Sequence, residues 1–308
     1  LPKNYKKAVK ILIHSLKTTQ NPSGIEGFAT WPLLHFVEVN GLDDYETSFK
    51  AMYEMTQRFS AEFAIRPFIS LDPKKSFEYL NQWITDENEH IRRLCSEGIR
   101  PNLPWGMKVE NINQNLERGL KLLEKLKDDD SVYVQKSVAN HLNDLSHIKP
   151  DLLLRTLKRW NKANISQARK WIIRHASRTL LKKGNPQALE LHGYKSKLKF
   201  DLKKLKLTPK TINEGDYLSL SFEFEHFGNS SEKIIMDYII YYLKKDGSYS
   251  KKAFRLKDQK LKANELHEIK KEIHFKAVTT RKHYSGKHFI SILINGKESK
   301  SIGFELKL

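Results

Sequence analysis

The sequence has only one cysteine among its 308 residues, Cys95, and no uninterrupted apolar run of 18 residues or more. A single thiol cannot form a disulfide within the chain or a cysteine-based metal site. Without a long apolar run there is no candidate for a membrane-spanning helix. The first residues also lack the apolar segment and small-residue cleavage site of a signal peptide. We therefore expect a protein of the reducing cytoplasm with no membrane partner.

Acidic residues are outnumbered, with 36 Asp and Glu against 55 Lys and Arg, which gives a net charge of +19. The excess is uneven, because residues 1–130 carry a net −1, residues 131–194 a net +9 and residues 195–308 a net +11. Counterion release draws a polyanion such as DNA to a basic region of this kind. A lysine-rich, solvated surface that binds no nucleic acid is the alternative explanation of the charge.

Residues 1–193 have the apolar spacing of helices, and one short pattern recurs among them. IRRLCSE at 91–97 resembles VQKSVAN at 134–140 and WIIRHAS at 171–177, with offsets of 43 and 37 residues. Helices that would pair with these are predicted over 111–127 and 150–160. Helix pairs that repeat about every 40 residues predict HEAT-like units, which stack into a solenoid.

Residues 197–308 instead alternate apolar and polar side chains, as in LSLSFEF at 218–224. Asp246-Gly247 and Asn295-Gly296 are two-residue hairpin signals. About seven strands in a domain of this length are typical of an immunoglobulin-like sandwich. The predicted fold is thus α + β with two domains, an α-helical HEAT-like repeat solenoid followed by an immunoglobulin-like β-sandwich.

Four segments of the helical region place polar or charged residues among apolar ones. They read EFAIRPF at 62–68, SEGIRPNLPW at 96–105, SVANHLNDLS at 137–146 and LLKKGNPQAL at 180–189. In this order they resemble the AlkC branch of the AlkC/AlkD family of HEAT-like-repeat DNA glycosylases. The resemblance covers roughly residues 1–193, and some members of that branch carry an immunoglobulin-like domain after it.

The resemblance implies a monofunctional base-excision-repair glycosylase that removes cationic N-alkylated bases, such as 3-methyladenine and 3-methylcytosine, from double-stranded DNA. It implies that the base is not drawn into a deep pocket, which departs from ordinary base flipping. It implies no metal and no other cofactor. We expect a monomer associated with the nucleoid of a bacterium, whose sandwich domain contacts the duplex.

Carboxylates suit this chemistry. A cationic base is already a good leaving group, and the deoxyribose becomes oxocarbenium-like as the bond breaks, so a fixed negative charge stabilises the transition state and a carboxylate can orient water. Glu97 is the first choice for this role, Glu62 the second and Asp144 the third; the resemblance places Asp144 at the same cleft.

Aromatic and basic residues near these acids are candidates for DNA contacts. The Trp105 ring would pack against the sugar or the lesion, since an aromatic face favours a cation. Phosphates flanking the lesion would be held by four arginines: Arg93, Arg100, Arg174 and Arg178.

Each acid also has a purely structural interpretation. Glu62 could cap a helix, Glu97 could pair with Arg93 or Arg100, and Asp144 could bond a backbone turn near Ser146. Trp105 could plug the core.

Two other functions compete with the enzyme. One is a non-catalytic HEAT-repeat module that binds DNA or recognises damage, and the other is a protein–protein scaffold. A scaffold explains neither acids within apolar stretches nor the basic charge of residues 131–308.

Overall fold

The computed structural model describes residues 1–109, 112, 114–279 and 281–308. The described chain divides into two compact units, Leu1–Arg178 and Thr179–Leu308. Within the described residues, no helix is long and apolar enough to cross a bilayer.

Twelve described α-helices precede the strands, together with a short 3-10 helix at Gly27–Thr30. They are α1 (Tyr5–His14), α2 (Trp31–Asn40), α3 (Tyr45–Thr56), α4 (Arg66–Leu71), α5 (Pro73–Trp83), α6 (Glu89–Glu97), α7 (Leu116–Leu126), α8 (Val132–Ile148), α9 (Pro150–Trp160), α10 (Gln167–Ala176), α11 (Arg178–Lys182) and α12 (Pro186–Leu191).

Several helices begin directly after a residue whose side chain accepts a hydrogen bond from an amide of the first turn. Asp72 accepts a hydrogen bond from the Lys75 amide and Pro73 opens α5, as the Asp-Pro pair predicts. Ser131 caps α8 and Ser166 caps α10 in the same way.

The recurring pattern marks equivalent helices. α6, α8 and α10 lie side by side, with α6 against α8 and α8 against α10, and each contacts the helix that precedes it in the chain. This is the arrangement expected of stacked helix pairs. The helix predicted over 111–127 is described from Leu116 to Leu126, and Asn111 and Asn113 lie outside the described residues.

The second unit contains nine described strands in two sheets. They are β1 (Phe200–Thr208), β2 (Thr211–Asn213), β3 (Tyr217–His226), β4 (Glu232–Leu243), β5 (Tyr249–Leu261), β6 (His267–His274), β7 (Gly286–Ile294), β8 (Lys297–Glu298) and β9 (Ile302–Lys307). One sheet has the order β1-β3-β6 and the other β2-β9-β7-β4-β5, with β8 paired to β7.

Both sheets contribute inward side chains to one apolar core, including Phe222 and Phe224 from the first and Ile240, Ile292 and Phe304 from the second. This confirms the sandwich. Both predicted hairpins form, since β4 pairs with β5 and β7 with β8.

The division into units differs from the predicted domain boundaries of 1–193 and 197–308. The short helix α12 and all of α11 except its first residue, Arg178, group with the strands rather than with the repeats. Tyr194 shows one cause, because its buried ring places the hydroxyl 2.7 Å from an Asp258 oxygen on β5.

Candidate active site

Three carboxylates from separate elements meet in the helical unit. Glu62 lies in the turn before α4, Glu97 is the last residue of α6, and Asp144 lies on the fourth turn of α8. Glu97 and Asp144 are each only 5% exposed, and Glu62 is partly exposed. Two arginines bring the three side chains into one group, whereas their catalytic role stays a prediction.

Arg100 joins two of the acids. Its Nη1 donates to Glu97 Oε1 at 2.7 Å, while Nε and Nη2 donate to the two Asp144 carboxylate oxygens at 2.9 and 3.1 Å. This fork-to-fork geometry fixes the planes of both groups.

Arg93 links the third acid to the same group. Its Nη1 donates to Glu62 Oε2 at 2.6 Å, and its Nη2 lies 3.6 Å from Glu97 Oε1. The guanidinium also lies over the Tyr133 ring, 4.6 Å from the centroid. We call the five charged residues Glu62, Arg93, Glu97, Arg100 and Asp144 the carboxylate network.

Glu97 stays ionised at neutral pH. Burial alone would raise its pKa, but the positive charges of Arg93 and Arg100 and a hydrogen bond from Ser137 together lower the pKa below its ordinary value. The Ser137 hydroxyl donates to Glu97 Oε2 at 2.6 Å. The network therefore holds a fixed negative charge at its centre.

Glu62 does not cap a helix and Asp144 does not bond a backbone turn near Ser146, which were the structural alternatives to a catalytic role for these two acids. The residue before α4 is Ile65, with no side-chain cap, so Glu62 does not cap that helix. Asp144 bonds Arg100 and the Asn102 amide rather than a turn near Ser146. Glu97 does pair with Arg100, as its structural interpretation predicted.

Arg93 and Arg100 differ from the sequence expectation that they hold phosphates. Both guanidinium groups face carboxylates, and Arg100 is only 8% exposed. Three of the five guanidinium N–H donors of Arg100 are bonded to Glu97 and Asp144. Both arginines therefore position the acids, and a phosphate contact by either of them stays a prediction.

Arg174 and Arg178 lie at the end of α10 and the start of α11, and both are partly exposed. Arg178 donates to the His175 carbonyl at 2.7 Å and to Asn140 Oδ1 at 3.0 Å. Burial lowers its pKa, and the charges of Asp144 and Arg100 also act on it, so it lies near the network.

Trp105 does not plug the core. Its side chain is 97% exposed, and its backbone adopts a left-handed conformation with φ of 59°. An indole held in solvent on a non-glycine residue of positive φ is an uncommon arrangement. It leaves the aromatic face available to a ligand.

The sequence analysis assigned no functional role to Ser137 or His141. Both lie on α8 within two turns of Asp144, and His141 Nδ1 is 3.0 Å from the Ser96 carbonyl. Burial lowers the pKa of His141, which favours the neutral ring. Their helical spacing from Asp144 was the signal that could have found them.

The sandwich has a cationic cavity of its own, of about 430 Å³. Its lining includes Tyr242, Lys245, Arg281 and Lys282. The Arg281 guanidinium lies 3.8 Å from the Tyr242 ring centroid. We call this the sandwich cavity.

Comparison with known proteins assigns both parts of the chain. Residues 56–180 match the model of the family described as DNA alkylation repair enzyme. Residues 201–308 match the C-terminal Ig-like domain described for uncharacterised protein YhaZ. Over 306 residues the chain is 40% identical to YhaZ of Bacillus subtilis, covering 99% of this chain and 83% of YhaZ.

A solved structure extends the match to the whole chain. The alkylpurine DNA glycosylase AlkC of Pseudomonas fluorescens, bound to DNA containing an abasic site analogue, superposes with a TM-score of 0.90 and 38% identity. The match covers 100% of this chain and 84% of that one. The chain belongs to the AlkC-type DNA alkylation repair family. Its carboxylate network thus lies in the segment that defines the family, whereas its sandwich cavity lies in the Ig-like domain.

Proposed function

We propose that this AlkC-type protein is a DNA glycosylase that hydrolyses the N-glycosidic bond of cationic alkylated bases, such as 3-methyladenine and 3-methylcytosine, in double-stranded DNA. The observation that carries the proposal is the carboxylate network, in which three acids from separate elements are held around two arginines. We also propose that the protein acts as a monomer, since all five residues of the network come from one chain.

The chemistry follows from the fixed charge. Bond cleavage releases the neutral base and leaves positive charge on the deoxyribose. Glu97 is ionised before the substrate arrives, and its two oxygens are oriented by Arg100 and Ser137. A preorganised carboxylate stabilises the developing cation without reorganising during the reaction.

Glu62 is the acid best placed to act on water. Its side chain is 17% exposed, against 7% for Glu97 and Asp144. Its Oε2 accepts a hydrogen bond from Arg93, whereas its Oε1 has no hydrogen-bond donor among the described residues. Oε1 can therefore orient the water that attacks the sugar. Asp144 has both oxygens bonded to Arg100 and acts by orienting that arginine.

The remaining DNA contacts have separate roles. The exposed Trp105 ring packs against the sugar or the lesion. Arg174 and Arg178 hold phosphates beside it. The sandwich cavity, with its cations, contacts phosphates elsewhere on the duplex.

Base release tests the proposal directly. Duplex DNA methylated with a simple alkylating agent is incubated with the protein, and free bases are separated and quantified. Free 3-methyladenine above the spontaneous rate supports the enzyme. Tight binding of the methylated duplex with no released base would instead favour the non-catalytic module.

A further inference from the structure

Arg66 is a fully buried cation that the proposed chemistry does not use. It is the first residue of α4 and is only 1% exposed. No carboxylate of the described chain lies within ion-pair distance of it. Burying an unpaired guanidinium is costly, so its bonding partners must offset that cost.

All of its bonds go to backbone carbonyls of one segment. Nη1 donates to the carbonyls of Gly98 and Arg100 at 2.9 and 3.0 Å, and Nε donates to the carbonyl of Met107 at 2.8 Å. One guanidinium therefore ties together the two ends of residues 98–107. We call this segment the Trp105 loop.

The first half of the Trp105 loop is also held by the carboxylate network. Arg100 bonds Glu97 and Asp144. The Asn102 amide donates to Asp144 as well.

The second half of the loop has fewer anchors among the described residues. Leu103 is buried, and the Gly106 amide donates to the Leu103 carbonyl at 3.2 Å. Arg66 bonds the Met107 carbonyl. Trp105 itself is exposed and adopts the left-handed conformation, so its own side chain does not hold it in place.

We propose that Arg66 is a positioning residue that sets the orientation of Trp105 toward the damaged nucleotide. The role requires a planar fork with several donors, which lysine lacks although it keeps the charge. Burial and the positive charge of Arg100 lower the pKa of Arg66 to about 10, which leaves the group protonated at neutral pH. The catalytic consequence of this inference rests on the proposed function.

The first test needs no activity. Hydrogen–deuterium exchange is followed in R66K and in a matched control, R58K. Arg58 also donates to backbone carbonyls, through Nε to Lys17 and Nη1 to Glu54, and its one ion pair among the described residues, to the Glu54 carboxylate, is long at 3.9 Å. It lies outside the Trp105 loop. R66K should speed exchange in peptides covering residues 98–107 while α8 and α10 keep parent rates. Uniformly faster exchange, or no change in the loop, would overturn the inference.

A double-mutant cycle then connects the loop to turnover. R66K should lower the single-turnover rate of base release by up to about tenfold, which is no more than the loss expected from removing Trp105, since small misplacements are costly. In a W105A background the same change should cost about twofold or less, because the group that it positions is gone. Equal losses in both backgrounds would contradict action through Trp105.

The two tests separate two kinds of failure. If the parent protein releases no base, the proposed function fails, whereas the exchange result still decides whether Arg66 holds the loop.

Discussion

The two units treat charge in opposite ways. In the helical unit, Glu97, Arg100 and Asp144 are buried and bonded to one another. In the sandwich, an apolar core fills the interior and cations such as Lys245 and Lys282 stay at the surface. Asp237 is an exception, since it is buried and pairs with Arg255 at 2.6 Å.

This difference suggests that the buried charges of the helical unit serve catalysis and the exposed cations of the sandwich serve DNA binding. Salt screens exposed charges strongly and buried pairs weakly. In the proposed function, the helical unit therefore keeps a constant field at the reacting sugar, while the cations of the sandwich give DNA binding that varies with salt. Substitutions in the helical unit should therefore change stability or turnover, whereas substitutions in the sandwich should change the salt dependence of DNA binding.

The largest effect on stability is expected at Arg100. R100M leaves Glu97 and Asp144 without their shared partner, and breaking such a buried pair costs about 3 kcal/mol or more. Urea unfolding of R100M and of the surface control K262A would measure it. K262A should stay within about 0.5 kcal/mol of the parent. Equal stabilities for R100M and the parent would show that Arg100 is not a structural partner of the acids.

Trp105 should affect turnover and leave the fold unchanged. W105A removes an exposed ring, so its urea midpoint should match that of the parent. The single-turnover rate of base release should fall about tenfold, as expected for loss of an aromatic contact to a cation. A parent-like rate would remove Trp105 from the site.

The sandwich cavity should act through salt dependence. K245A/K282A should lower the slope of log binding constant against log salt by about 1 to 2, because each phosphate contact contributes about 0.9. The control K262A/K270A removes the same charge elsewhere on the sandwich. Equal slopes for the two variants would deny the cavity a specific role.

The smallest effect is expected in the pH dependence of stability, where the contribution of Glu97 should be lost at acidic pH. The pKa of Glu97 is below its ordinary value, so its contribution to stability is present above pH of about 4.3 and is lost as pH falls through the lower, folded-state pKa. The difference in urea midpoint between the parent and E97Q should therefore shrink from pH 7 to pH 3. A constant difference over that range would contradict an ionised, paired Glu97.

Local patterns predicted much of the fold. The Asp72-Pro73 helix start and the hairpins at Asp246-Gly247 and Asn295-Gly296 depend on neighbouring residues, and all three form. The short strands β2 and β8 have too few residues to show a period, so the sequence indicated seven strands where nine are described.

The site was predictable only in part. The three acids could be named, and Glu97 with Arg100 is a local pair. The bonds from Arg100 to Asp144 and from Arg66 to the Trp105 loop span more than 30 residues, and no local pattern encodes them. Glu97 is close in sequence to both Arg93 and Arg100, but their bonds to Glu62 and Asp144 join distant residues and could not be predicted.

A single-turnover comparison of E97Q with the parent tests the central claim most directly. The substrate is a duplex with one 3-methyladenine, and E117Q, which changes an exposed acid on α7, is the matched control. E97Q should release base about 10²- to 10³-fold more slowly while binding abasic duplex like the parent, and E117Q should keep the parent rate. Parent-like release by E97Q would contradict a fixed negative charge as the source of catalysis.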